Sequence, residues 1–203
     1  EQHMAVSMVT PASAPAERRF FTGMALAIMA TVVVGFSRSF FLRPLFPDWP
    51  SPSETIFYVH GAAFAAWIAL LLAQTSLVAA ERTDLHRRVG PFGAVLAVAM
   101  IMLGTLGALV AAGRPTGFVG VPVPPLQFLA IPIFDMVLFA AFVGLAIARR
   151  RIAQSHKRWM LLATVNLVTA AFARWPGVFN LGPPAFFGLT DLFLVALAIW
   201  DFR

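Results

Sequence analysis

Six stretches of this chain stay apolar over roughly the ~20 residues that carry an α-helix across a bilayer. They run approximately over 20–42, 56–80, 90–112, 125–148, 158–174 and 185–200. In hydrocarbon every backbone amide must find its partner inside the segment, and runs this long exceed a barrel strand, so each reads as a helix. The connectors between them, such as Arg43 to Thr55 with its prolines and Pro176 to Pro184, are too short to hold a second domain. The expected fold is all-α, a single integral membrane bundle of six transmembrane helices over 20–203, after a flexible tail over 1–19. Composition agrees on the solvent: 60% of the 203 residues are hydrophobic and 12% are charged, about half of what a soluble domain carries. A soluble fold with so little polar surface would expose large adhesive patches. The first apolar segment outlasts the core of a signal peptide and ends in aromatic residues, so it reads as a retained anchor.

The formal net charge of +6 invites a nucleic-acid reading, but the placement of the charges argues against it. On a six-helix meander Arg18, Arg19, Arg82, Arg87, Arg88, Arg149, Arg150, Arg151, Lys157, Arg158 and Arg203 fall on one side, which is 11 of the 15 basic residues. The other side holds Arg38, Arg43, Arg114 and Arg174. Such an excess is an orientation signal, which predicts cytoplasmic termini in a bacterial inner membrane. It also suits anionic lipid headgroups and gives no support to nucleic acid. The absence of cysteine excludes disulfides, thiolate metal sites and cysteine nucleophiles. Small residues four apart, Ala62 with Ala66, Ala65 with Ala69, and Gly104 with Ala108 and Ala112, are expected to let helices approach closely. Trp49, Trp159, Trp175 and Trp200 near helix ends fit interfacial belts.

Function is to be sought where polar side chains sit in lipid at a cost. His86 and His156 each precede two basic residues at the start of a helix, in ERTDLHRRVG over 81–90 and RRRIAQSHKRWM over 149–160, an approximate internal repeat offset by 70 residues. On neighbouring helices the two imidazoles would face one another, and such a pair can clamp a b-type haem, with Arg87 and Arg158 placed for its propionates. Two histidines in contact with lipid headgroups would satisfy the same pattern. His60, Trp67, Gln74 and Glu81 recur every seven residues and form one stripe, expected to face the bundle interior. Asp135 lies three residues after Pro132, which frees a carbonyl and marks a kink. With His60, Gln74 and Asn166 it defines an expected polar cavity, in which the carboxyl exchanges protons, anchors a ligand or serves as a hydrogen-bonded strut. Arg174 and Asp191 flank the last outer loop and are expected to pair. No nucleophile triad, phosphate-binding glycine loop or His-x-x-x-His pair supports hydrolase or nucleotide-driven chemistry.

The run His86-Arg87-Arg88-x-Gly90, followed one hairpin later by His156-Lys157-Arg158-x-Met160 and by Arg174, resembles bacterial multi-pass membrane proteins of unknown function with paired H-R-x-x-G and H-[KR]-R-x-M motifs. That resemblance covers roughly 55–175. More loosely, the arrangement is similar to six-helix transmembrane b-type cytochromes of the ascorbate-reducible type, which carry two bis-histidine haems on their four central helices. Helix four here has Asp135 and no histidine, so the resemblance implies one haem b, held by His86 and His156. It implies a membrane electron-transfer role with quinone or other membrane subunits as partners. Two further readings stand beside it: a small transporter or proton-coupled channel using Asp135 and His60, and a cofactor-free accessory subunit of a larger membrane complex.

Overall fold

The computed structural model describes residues 14–203, and most of the expected tail therefore lies outside the described residues. Residues 14–19 already belong to α1 (Ala14–Phe36). Then come α2 (Thr55–Ala79), α3 (Thr83–Ala112), α4 (Pro125–Ala148), α5 (Ala153–Asn166), α6 (Thr169–Phe172) and α7 (Pro183–Asp201). The described residues are helical with no strand, and five helices are long and apolar enough to cross a membrane: α1, α2, α3, α4 and α7. Consecutive helices from α1 to α5 pack side by side, α6 returns to α1, and α7 closes on α5 and α6.

The fifth expected span is divided. After Asn166 the amides of Leu167 and Val168 bond three residues back, to Thr164 and Val165, rather than four. Thr164, Val165, Val168 and Thr169 are β-branched, and their stiff side chains weaken the α-helix where the backbone tightens. Regular bonding resumes with Phe172 to Val168.

The ends follow local rules. The turn from α2 into α3 is a Schellman closure in which the Arg82 amide bonds the Leu77 carbonyl at 2.8 Å, with Glu81 left-handed at φ 62°. Helix α1 widens into a π-turn over Ser37–Phe41 before a 3₁₀ turn over Arg43–Leu45. Pro125 opens α4, where its missing N–H is harmless, whereas Pro132 lies inside it.

The interior is built from small and medium side chains. Ile28, Met100, Phe139, Ala163 and Thr164 are fully buried, while Phe92, Leu126, Val95 and Phe134 point outward. This is the sorting expected when lipid is the outer solvent, since large apolar groups then gain little by burial. The buried face of α3 runs through Gly93, Ala97, Met100, Gly104, Gly107, Ala108 and Ala111, so the expected small-residue packing on this helix is present with Ala111 in place of Ala112. On α2 it is absent, because Ala62, Ala66 and Ala69 are exposed. Trp67, on the opposite side of that helix, reaches the core.

Ion pairs bring one end of the bundle together. Arg18 holds Glu81 at 2.6 Å, Arg158 grips Asp201 with two hydrogen bonds, and Lys157 pairs with Glu17. The start of α1, the α2–α3 turn, the start of α5 and the end of α7 therefore share one level. At the opposite end Arg114 bridges bidentately to Glu54 at 2.6 and 2.8 Å and lies over the Phe57 ring. The Arg114 hydrogen bond holds the Glu54 carboxyl below the usual carboxylate range. Arg38 covers Trp49 there, 4.7 Å from the ring centroid. The expected interfacial belt is only partly present: Trp175 is tied inward to the Thr31 carbonyl at 3.0 Å, and Trp200 stacks on Phe20.

Two glycines separate rigid from yielding contacts. A Cβ at Gly35 would collide with the backbone of Ala171, whereas one at Gly104 would meet the flexible Met136 side chain. Gly35→Ala is therefore expected to lower stability by about 1–3 kcal/mol, the usual cost of overpacking, and Gly104→Ala by less. Thermal unfolding of both variants in one detergent checks the order; equal losses would contradict it.

Candidate functional site

Of the expected stripe, His60, Trp67 and Gln74 lie on α2 and turn toward the interior, whereas Glu81 lies beyond the helix, exposed and paired with Arg18; Trp67 is the most enclosed. Trp67 is 2% exposed, and its indole N–H donates to the Thr164 hydroxyl on α5 at 3.1 Å. Thr164 in turn donates to the Met160 carbonyl, the back-bond that lets a hydroxyl sit inside a helix. Phe139 of α4 meets the Trp67 ring edge-on at 5.1 Å between centroids. One indole thus connects α2, α4 and α5 at the centre of the bundle.

His60 and Gln74 lie about 20 Å apart by helical rise, so they belong to different places. His60 stacks on Phe64 at 4.1 Å and packs against Gly107 of α3, with its Nδ1 buried and unpaired among the described residues. Gln74 lies at the basic end, where its amide donates to the His86 carbonyl at 3.3 Å while its own Oε1 is buried without a partner.

Asp135 and Asn166 meet, though not through the carboxyl. The Asn166 amide donates to the backbone carbonyl of Asp135 at 2.9 Å, one turn beyond the Pro132 interruption. Among the described residues the Asp135 carboxylate forms no hydrogen bond or ion pair. The four residues expected around one cavity are therefore placed as three separate features: His60 toward the end opposite the basic one, Asp135 with Asn166 in mid-bundle, and Gln74 beside His86. Two surface hollows lie elsewhere, one over Thr116–Pro122 and Phe179 and one over Leu45–Trp49. The expected pairing of Arg174 with Asp191 is not made. Arg174 donates instead to the Ala170 carbonyl at 2.6 Å and lies over the Phe36 ring of α1.

At the basic end the structure brings His86 and His156 together. Their ring centroids are 6.2 Å apart and their planes cross at 83°. His86 sits in the first turn of α3 and His156 in the first turn of α5; these helices both pack on α4 and scarcely on each other. His156 Nδ1 is 2.9 Å from the Ala146 carbonyl, an acceptor that fixes Nδ1 as the protonated nitrogen and leaves Nε2 with its lone pair. His86 Nδ1 is buried and unpaired among the described residues. Nearby, Arg87 is exposed, and Arg158 is committed to Asp201 and Gln154. No cluster of three or more His, Cys, Asp or Glu side chains suited to a metal ion occurs among the described residues.

The sequence pattern pointed to each of these polar groups, but it missed Thr164, the acceptor for Trp67. A threonine in a helix interior carries no signal of its own until the fold places a donor opposite it. In comparisons with family models, with curated proteins and with solved structures, nothing matched this chain.

The Trp67–Thr164 bond is testable by a double-mutant cycle of Trp67→Phe and Thr164→Val. Hydrogen bonds between membrane helices are worth about 0.6 kcal/mol on average and up to ~1.7. A coupling energy in that range is expected from reversible unfolding in mixed micelles; a coupling of zero would remove the bond from the account of the core.

Proposed function

We propose that this is a six-span bacterial inner-membrane protein that holds one b-type haem between His86 and His156 and serves membrane electron transfer. The observation that carries the reading is the close imidazole pair, with centroids 6.2 Å apart, planes crossing at 83° and His156 oriented by the Ala146 carbonyl. His86 and His156, brought close on separate helices, are the residues that would hold the haem. Two neutral imidazoles on separate helices are the donor set that b-type haem takes, and the residues present fit it. Bound there, the haem would supply a one-electron couple. The chain's own part is to orient His156 through Ala146, to hold His86 on α3, and to offer Arg87 to a propionate. Arg158 reaches one only by leaving Asp201.

The same reading counts α5, the tight turn and α6 together as the sixth crossing. From Ala153 to Phe172 the chain keeps helical bonding over about 20 residues, which at 1.5 Å each is enough for the hydrocarbon core. Both termini then lie in the cytoplasm, with the basic end.

Protein purified after expression with a haem supply is expected to show a Soret band, and His86→Ala or His156→Ala to remove it while the far-ultraviolet helical signal persists. No Soret band in the wild-type protein would overturn the haem assignment. Orientation is checked separately. The chain has no native cysteine, so single cysteines are informative without background. A cysteine at Arg150 is expected to react only from the cytoplasmic side, and one at Ser53 only from the outside; the reverse labelling would refute the orientation.

One observation favours a second reading. The Asp135 carboxylate lies in an apolar helix with no protein partner among the described residues, as a proton-exchanging group in a small transporter would. In proteoliposomes Asp135→Asn is then expected to abolish proton-coupled flux without unfolding the protein; unchanged flux would reject that role.

A further inference from the structure

The basic end carries far more positive charge than it neutralises. Of the eleven cations there, four are in ion pairs: Arg18 with Glu81, Arg82 with Asp84, Lys157 with Glu17 and Arg158 with Asp201. Those pairs use every carboxylate side chain at this end among the described residues. Seven arginines are left uncompensated, and four of them are brought to one side of the bundle. Arg88 lies at the start of α3, and Arg149, Arg150 and Arg151 form the turn leaving α4, the helix against which α3 packs. All four are exposed.

Apolar side chains accompany them. Phe92, one helical turn beyond Arg88, is 73% exposed, and Ile152, directly after Arg151, is 55% exposed. Arg150 also caps its own helix by donating to the Ile147 carbonyl at 3.1 Å, which holds the turn against the end of α4. Guanidinium groups lie at the helix ends, with large apolar groups beside them. An acyl chain would lie along Phe92 while the phosphate meets the arginines. The amino ends of α3 and α5 face the same way and add positive potential.

We infer that the α3–α4–α5 end, through Arg88 and Arg149 to Arg151 with Phe92 and Ile152 beside them, is a binding site for anionic phospholipid headgroups. Guanidinium favours phosphate because it presents paired donors to two oxygens. The occupant is a lipid rather than a soluble polyanion because the cations border exposed apolar side chains that a nucleic acid or free phosphate would leave uncovered. Each basic residue near a membrane surface strengthens attraction to anionic lipid by about fivefold.

The test is lipid retention. Wild-type protein, equilibrated in detergent with an equal mixture of phosphatidylglycerol and phosphatidylethanolamine and then washed, is expected to keep phosphatidylglycerol in at least about fivefold excess by mass spectrometry. The excess should fall toward the input ratio in R149Q/R150Q/R151Q and in rising salt, and be retained only in part by the corresponding triple lysine variant, which keeps the charge without the paired donors. Glycerophosphate and a polynucleotide should not displace the lipid. Equal retention of the two lipids by wild type would overturn the site, and so would displacement by the polynucleotide, which would make the patch a general polyanion surface. If the glutamine variant does not fold, the salt series on wild type decides alone: an excess that ignores salt refutes the arginine contacts.

Discussion

The Trp67 indole is the point on which the arrangement of the bundle depends. In lipid, apolar burial distinguishes poorly between one helix face and another, so directional bonds and close fit must specify which faces meet. Trp67 supplies both, donating to Thr164 of α5 and meeting Phe139 of α4 edge-on. With those contacts made, α2 is fixed in rotation. His60 is then directed to one end of the bundle and Gln74 to the other, and the alanines on the far side of the helix face outward.

The same bond bears on the histidine pair. Thr164 lies two turns beyond His156 on α5, so the contact that anchors this helix also sets its depth and rotation at the basic end. Ala146 at the end of α4 then receives His156 Nδ1, and α4 stands between the two helices that carry the imidazoles. The separation of His86 from His156 is therefore a product of three helices rather than of either motif. The ion pairs of Arg18, Lys157 and Arg158 close the same end, and they leave the arginines of the α4–α5 turn without carboxylate partners among the described residues.

Much of this was legible in the residues. The ends of α2 and α4 fall within a residue of the spans read from apolar length, because a helix in lipid has to continue until polar groups allow it to stop. The turn chemistry was harder to read. α3 begins at Thr83 rather than near 90, because arginines at a membrane boundary are good helix formers as well as loop residues. The division of α5 from α6 turns on a local excess of β-branched side chains inside an apolar run, which hydropathy does not register. At the candidate site, sequence located His86, His156, Asp135 and Asn166 but not their partners. Asn166 meets a backbone carbonyl of Asp135 in place of its carboxylate, and Arg174 turns to Ala170 instead of Asp191.

The apolar lengths, the distribution of basic residues and the few polar groups within the spans belong to the sequence alone, since each follows from the cost of placing a given side chain in hydrocarbon. Only the tertiary structure decided which of those polar groups meet. Pairing depends on helix rotation and depth, and these are fixed by contacts between residues far apart in the chain, such as Trp67 with Thr164 and Gly35 with Ala171. The expected single cavity became three separate places for that reason, and two histidines 70 residues apart in sequence came to lie with ring centroids 6.2 Å apart.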